Sequence, residues 1–348
     1  MSNLPGVPLS VLDLAPIVSG RSATEALLAT RELARHVERL GFTRFWVAEH
    51  HNMPGIASSA PTVLIADVAA STERIRVGSG GVMLPNHPPL VVAEQFGTLA
   101  ALHPGRIDLG LGRAPGTDQN TARALRRSAD ALSDDDFPRQ LSELIGFFTG
   151  AFPDGHPYSA IRAVPSDGVG PPIWLLGSSG YSAELAGLLG LPFAFAHHFM
   201  AHNTLPALEI YRRAFQPSAT LSEPYAMVAV QVIAADTDAD ARRLALPAAL
   251  SFLQLRQNNP VPMPTVEAAA AYPWTAQERA FVAQRWEGQA VGSVETVRRA
   301  LGELLTATRA DELMVTTMVP DVGARLRSMD HVRGLFGAAD LPVGRVAA

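Results

Sequence analysis

Phe45-Trp46-Val47-Ala48-Glu49-His50-His51 is the stretch from which the rest of this chain is read. An apolar, aromatic-rich run reads as a buried strand, and this one stops abruptly at a carboxylate followed by two histidines. A buried parallel strand finishes that way when its carboxyl end opens into a site. Neighbouring side chains on an extended segment point to opposite faces, so at most one of the two histidines can face a ligand along with Glu49. Two histidines at a strand end can also simply bond nearby carbonyls. Histidine is nevertheless the usual proton carrier near neutral pH, which favours a chemical role here.

Working outward, strands and helices alternate along the chain. Pro8–Leu14, Phe42–Ala48, Ile75–Leu84, Arg106–Gly112, Pro172–Leu176, Phe193–Ala196, Tyr225–Ala234 and Glu312–Thr317 read as strands. Between them, Thr24–Leu40 carries Ala26, Thr30, Leu33, Val37 and Leu40 at helical spacing, and Gly41 stops it. Pro61 sits in the favoured first turn of a helix reaching about Ser71. Further helices are expected over Pro89–Leu102, Thr121–Arg127, Phe137–Phe148, Tyr181–Leu189, Asn203–Phe215, Asp238–Gln257, Glu295–Thr308 and Gly323–Phe336. Eight strands alternating with helices predict a parallel sheet with right-handed crossovers, and eight is the number that closes a (β/α)₈ barrel. The expected organisation is a single α/β barrel domain over residues 1–336. Residues 258–292, rich in proline and with a helical patch around Glu278–Trp286, form a lid insertion before the last strand, and 337–348 is a tail.

Composition removes several function classes. A chain of 348 residues with 47% apolar and 18% charged residues can bury a large core. Its formal net charge of −5 argues against a general nucleic-acid binder. Cysteine is absent, which excludes disulfides, thiolate nucleophiles and cysteine-held metal clusters. Residues 1–10 lack the basic and apolar regions of a secretion signal, and the most apolar long stretch, 173–196, is interrupted by Gly177-Ser178-Ser179-Gly180, Glu184 and Pro192. A cytoplasmic location without membrane insertion is expected.

Three other strand ends carry polar or glycine-rich signals. Val77-Gly78-Ser79-Gly80-Gly81-Val82-Met83-Leu84-Pro85 places glycines inside a strand, as at a bulge or where a flat ligand approaches. Asp108-Leu109-Gly110-Leu111-Gly112-Arg113 ends in an arginine whose planar fork suits an anion, although such an arginine can also pair with a neighbouring carboxylate. Leu176-Gly177-Ser178-Ser179-Gly180-Tyr181-Ser182 leads from a strand into a helix, whose exposed amides and dipole favour an anion; serines also cap helices without one. No Walker lysine, nucleophile elbow or dinucleotide fingerprint accompanies these loops. The pair His197-His198 ends another strand, but no histidines have the helical spacing of a zinc site, so no metal is expected.

In combination and in order, Phe45–His51, Gly80-Gly81-Val82-Met83-Leu84-Pro85 with His87-Pro88, Ala93-Glu94-Gln95, Gly105-Arg106 and Gly110-Leu111-Gly112-Arg113 resemble the bacterial luciferase-like flavin-dependent monooxygenases. The likeness runs from about Pro8 to Arg113 and continues through the Gly-Ser-Ser loop and Gly190-Leu191-Pro192. The resemblance implies a barrel that binds reduced FMN at the carboxyl ends of its strands. Gly80-Gly81 occupies the place of the family's non-proline cis peptide beneath the flavin ring. Arg113 matches the phosphate-binding arginine, and Ser178, Ser179 and Ser182 match the loop that receives the same phosphate. His50 matches the catalytic histidine, with Glu49 beside it as the second catalytic candidate. Gly112 stands where the light-emitting chain of luciferase has a reactive cysteine, which speaks against bioluminescence.

The activity implied is oxygenation of a small organic substrate by reduced FMN and dioxygen through a flavin peroxide, with His50 as acid–base. The expected partners are the substrate, dioxygen and a separate flavin reductase, with a homodimer as the assembly and neither nucleic acid nor membrane involved. Two alternatives share the barrel: hydride transfer with a deazaflavin coenzyme, and a non-catalytic flavin-binding protein. A glycoside hydrolase would need a carboxylate mate for Glu49, and none is evident.

Overall fold

Alternate residues of each strand separate the apolar side chains into two layers. In the strand carrying Phe45–Ala48, Phe45 and Val47 pack outward with Leu9, Val11, Val77 and Leu109 against the surrounding helices. Trp46 and Ala48 point inward with Leu12, Trp174, Met227 and Met314. Both faces are therefore buried, which is why these strands read as continuous apolar runs. The computed structural model describes residues 4–114, 116–126, 136–166 and 170–337. Pro115, the expected helix end at Arg127 and the tail from residue 338 lie outside the described residues.

The strands are β1 (Leu9–Asp13), β2 (Arg44–Val47), β3 (Arg76–Ser79), β4 (Val82–Met83), β5 (Ile107–Gly112), β6 (Ile173–Gly177), β7 (Phe193–Phe195), β8 (Ala226–Ala235), β9 (Ala290–Ser293) and β10 (Glu312–Thr316). Parallel pairing runs β1–β2–β3–β5–β6–β7–β8–β10 and returns from β10 to β1, closing an eight-stranded (β/α)₈ barrel as expected. Two details differ from the sequence expectation. The third strand is not continuous: it breaks at Gly80-Gly81, a cis peptide, into β3 and β4. An additional short strand, β9, pairs with the far end of β8, Val232 opposite Ala290. Its four residues Ala-Val-Gly-Ser carry too short an apolar pattern to be read as a strand.

Around the barrel lie α1 (Ala23–Arg39), α2 (Pro61–Ala70), α3 (Pro89–Leu102), α4 (Gln119–Arg126), α5 (Phe137–Thr149), α6 (Gly180–Leu188), α7 (Thr204–Ala214), α8 (Asp238–Arg256), α9 (Val266–Ala271), α10 (Ala276–Trp286), α11 (Val294–Thr308) and α12 (Val322–Leu335). Helix α1 shows the local logic: Ser22 and Glu25 form a reciprocal capping box, and Gly41 follows with a φ of +80° that favours glycine. Residues 258–292 hold α9 and α10, which pack on α8 through Leu253, Ala269, Trp274 and Val282. Among the described residues no helix is long and apolar enough to cross a membrane.

Opposite the site, the amino ends of the strands bury a charged cluster. Arg44 bonds Asp108 Oδ2 at 2.9 Å and Glu312 Oε1 at 3.0 Å, with all three side chains fully enclosed. Trp46 Nε1 and Ser10 donate to the same two oxygens, and Arg76 and Tyr225 to the other oxygen of each carboxylate. Sequence periodicity does not announce this cluster, because each member is a lone polar residue in an apolar strand.

Candidate active site

The inward–outward alternation continues past the end of β2 and sorts its three polar residues. His50 shares parity with Trp46 and Ala48 and lines the barrel mouth. Glu49 and His51 share parity with Val47 and turn the other way. Glu49 Oε1 accepts from His51 Nε2 at 2.8 Å and from His87 Nε2 at 2.9 Å, and its Oε2 accepts from the Met83 amide at 2.9 Å. The carboxylate thus ties the strand end to β4 and the following turn, and it lines neither cavity of the mouth. Burial pushes its carboxyl up, but these hydrogen bonds outweigh that and hold it below the ordinary carboxylate value. Glu49, His51 and His87 also form a group with metal-ligand chemistry, their donor atoms within 4.8 Å of one another. In this arrangement both histidines bond the carboxylate.

His50 is a different case. Its Nδ1 is buried without a hydrogen-bond partner, and burial pushes its pKa down to about 4, so the ring is neutral at physiological pH. It sits where two cavities meet. The first is lined by Gly80, Gly81, Met83, Gly112, Arg113, Ser178, Ser179 and Ser182, with Trp46 and Leu12 beneath. A methyl group on Gly81 would stand 2.8 Å from the Gly110 carbonyl oxygen and 2.5 Å from Leu176 Cδ1, and one on Gly80 would stand 2.7 Å from Leu12 Cδ1. Only glycine leaves that wall flat enough for a planar ligand to lie against it.

At one end of this first cavity Arg113 lies over the Tyr181 ring, 4.2 Å from its centroid. No described carboxylate forms an ion pair with it, so the surface-pair alternative for this arginine is not realised. Helix α6 begins beside it, and its N-cap Ser179 makes no side-chain capping bond. The amide-rich helix start and an uncommitted guanidinium therefore face the same space, a setting suited to a phosphate. All of the cofactor-binding candidates, Gly80, Gly81, Arg113, Ser178, Ser179 and Ser182, come together with His50 in one cavity. Glu49 is the candidate the structure leaves outside it.

The second cavity, about 190 Å³, opens from the same junction beneath α8 and α10. At about 10–15 Å³ for each enclosed water it has room for a small organic molecule. Leu14, His50, His198 and Phe199 border both cavities. His198 had stood only as part of a strand-end pair. Its Nδ1 donates to the Ala229 carbonyl oxygen at 3.0 Å, which leaves Nε2 as the acceptor, and burial lowers its pKa to about 4. Its neighbour His197 is structural, bonding Thr204 and the Gly288 carbonyl at 2.7 and 2.8 Å. The doublet His197-His198 ending a strand was the signal, identical in kind to His50-His51.

A luciferase-like monooxygenase of Escherichia coli strain K12 is 49% identical over 326 residues, 93% of this chain and 95% of that protein. The N-acetyl-S-alkylcysteine monooxygenase of Bacillus subtilis strain 168 is 37% identical, over 90% of this chain and 93% of that protein. The crystal structure of apo-MsnO8 superposes with a TM-score of 0.86 at 39% identity, covering 94% and 98% of the two chains. More distantly, the FMN-bound oxygenating constituent of a Pseudomonas putida 3,6-diketocamphane monooxygenase has a TM-score of 0.69 at 20% identity, covering 94% and 97%. An F420-dependent secondary alcohol dehydrogenase has 0.65 at 14%, covering 95% and 98%; at these distances the likeness is one of fold. The family model for luciferase-like monooxygenases matches residues 7–312, and the chain belongs to that family.

Proposed function

We propose that this chain is an FMN-dependent monooxygenase that inserts one oxygen atom into a small organic substrate, with reduced FMN supplied by a separate reductase. One observation carries the reading: an arginine that no described carboxylate pairs, an uncapped helix start and a glycine-only wall line one cavity with a neutral histidine. These features fit FMN. Arg113, Ser178, Ser179 and Ser182 would hold its phosphate, and Gly80 and Gly81 would support its ring. Bound in reduced form, the flavin would supply the two electrons that activate dioxygen, with one oxygen atom passing to the substrate and the other to water.

The chain's own residues do the rest. His50, neutral and with Nδ1 unbonded, can accept or return a proton at the boundary between the cavities. Glu49 acts as a positioning residue, clamping His51, His87 and the Met83 amide so that the end of β2 stays in register. Pro260, Val261, Met263 and Trp286, from residues 258–292, wall the second cavity. We read this segment as a lid that excludes water from the substrate, within a single barrel domain. The Bacillus subtilis relative named for N-acetyl-S-alkylcysteine supports a substrate of that small, thioether-bearing type.

The test supplies the purified chain with a flavin reductase, FMN, dioxygen and N-acetyl-S-methylcysteine, with product followed by mass. A product heavier by one oxygen, formed with reduced FMN and not with reduced deazaflavin, is expected. Turnover with reduced deazaflavin and none with reduced FMN would overturn the assignment in favour of hydride transfer. Flavin binding without turnover across a wider substrate screen would leave a binding protein.

A further inference from the structure

We propose that the second cavity recognises a substrate with an apolar body and a carboxylate, and that Arg285 of α10 pairs with that carboxylate. The proposal names the substrate class of the oxygenation described above and in that sense rests on it.

Arg285 lines the second cavity and not the first. Its guanidinium carbon lies over the Phe252 ring, 3.6 Å from the centroid, and Phe252 stacks in turn on Phe281 at 5.9 Å and 7°. This stack holds the guanidinium in place but bonds none of its N–H groups; a cation–π contact is worth about 0.5–2 kcal/mol and satisfies no donor. No described carboxylate forms an ion pair with Arg285, and none lines the cavity. Burial alone lowers its pKa, to about 10, so it remains a cation at neutral pH.

The two arginines that are fully buried among the described residues are paired with carboxylates. Arg44 is held by Asp108 and Glu312, and Arg325 by Asp13. An unpaired, partly desolvated charge is expensive, so its partner is expected to arrive with the ligand. The remaining wall fits an apolar body: Ile56, Met53, Ala249, Val261, Met263 and Trp286. Two hydroxyls on the same wall, Ser251 Oγ and Thr316 Oγ1, are buried without hydrogen-bond partners and can donate to a second polar group of the substrate. A carboxylate matches the planar fork bidentately, and a substrate anchored there lies in the cavity that opens onto His50 and His198.

The experiment is calorimetric binding at neutral pH of hexanoate, 3-phenylpropanoate and N-acetylmethionine, each beside its primary amide. At least one acid should bind the unmodified chain about tenfold or more tighter than its amide. Arg285→Gln should erase that preference while leaving the amide's affinity nearly unchanged, and Arg285→Lys should keep part of it. If no acid outbinds its amide, or if the preference survives in Arg285→Gln, the proposal is wrong. The comparison on the unmodified chain decides even if the variants do not fold. FMN titration separates this from the reading it rests on. An unmodified chain that binds FMN but shows no acid preference sinks only Arg285's role, whereas acid preference without FMN binding sinks the monooxygenase assignment.

Discussion

Glu49 and His51 meet on the outer side of their strand, His51 Nε2 donating to Glu49 Oε1 at 2.8 Å, while His50 between them faces the barrel mouth. Replacing the two histidines should therefore have unlike consequences. His50→Ala should lower oxygenated product by roughly 10²-fold or more, with hydrogen peroxide released instead and flavin affinity nearly unchanged. His51→Ala should leave coupling largely intact and act through stability. Because burial holds the His50 pKa near 4, coupling should show no inflection near pH 6.5, where an ordinary histidine titrates. Parallel measurement of product and peroxide against pH in the unmodified chain and both variants checks this; product loss confined to His51→Ala would reverse the assignment.

The same strand explains what was legible in the sequence. The unbroken apolar run Phe45–Ala48 predicted a buried strand, and the glycine and arginine signals at strand ends marked the loops that line the mouth. The role of Glu49 was not legible, because parity separates it from His50 but says nothing of its partner. That partner, His87, is 38 residues away. Arg285 was hidden for a related reason: on α10 it reads as one more polar residue of an amphipathic helix, and only the tertiary placement of α10 over α8 turns it into a cavity wall. Asp108 was quoted only as part of a glycine-rich strand, yet it anchors the buried network beneath the site.

Arg113→Ala should weaken FMN far more than riboflavin. The guanidinium is oriented by Tyr181 and paired with no described carboxylate, so a phosphate is the group it is free to serve. Loss of charge-assisted bonds to that phosphate is expected to cost about 1.5–3 kcal/mol of binding, with riboflavin affinity nearly unaffected. Fluorescence titration of both flavins with the variant measures the difference. Equal weakening of the two would show that Arg113 supports the ring or the fold instead.

Arg44→Met should be among the most destabilising single changes in the barrel. The substitution keeps much of the side-chain volume but leaves Asp108 and Glu312 facing one another without their shared cation, in a site with no solvent exposure. Breaking a buried ionic cluster from one side costs about 3–5 kcal/mol. Chemical denaturation of the flavin-free chain should show the midpoint falling with little change in slope. A loss under about 1 kcal/mol would mean that Arg76, which also bonds Asp108, compensates.

Glu49→Gln should make stability less dependent on acid. In the folded chain the bonds from His87, His51 and the Met83 amide outweigh the opposing effect of burial and hold the carboxyl below its ordinary value. The unfolded chain, with a carboxyl near about 4.3, takes up a proton first as pH falls. Glu49 therefore contributes stability that is fully present above that value and is lost as pH drops through the lower, folded-state value. The unmodified chain should exceed Glu49→Gln in stability at pH 6, and the gap should narrow steadily below about pH 4.5. Denaturation midpoints of both chains across that range measure it. A gap that stays constant would show that Glu49 stabilises by shape and hydrogen bonding alone, with its charge contributing nothing.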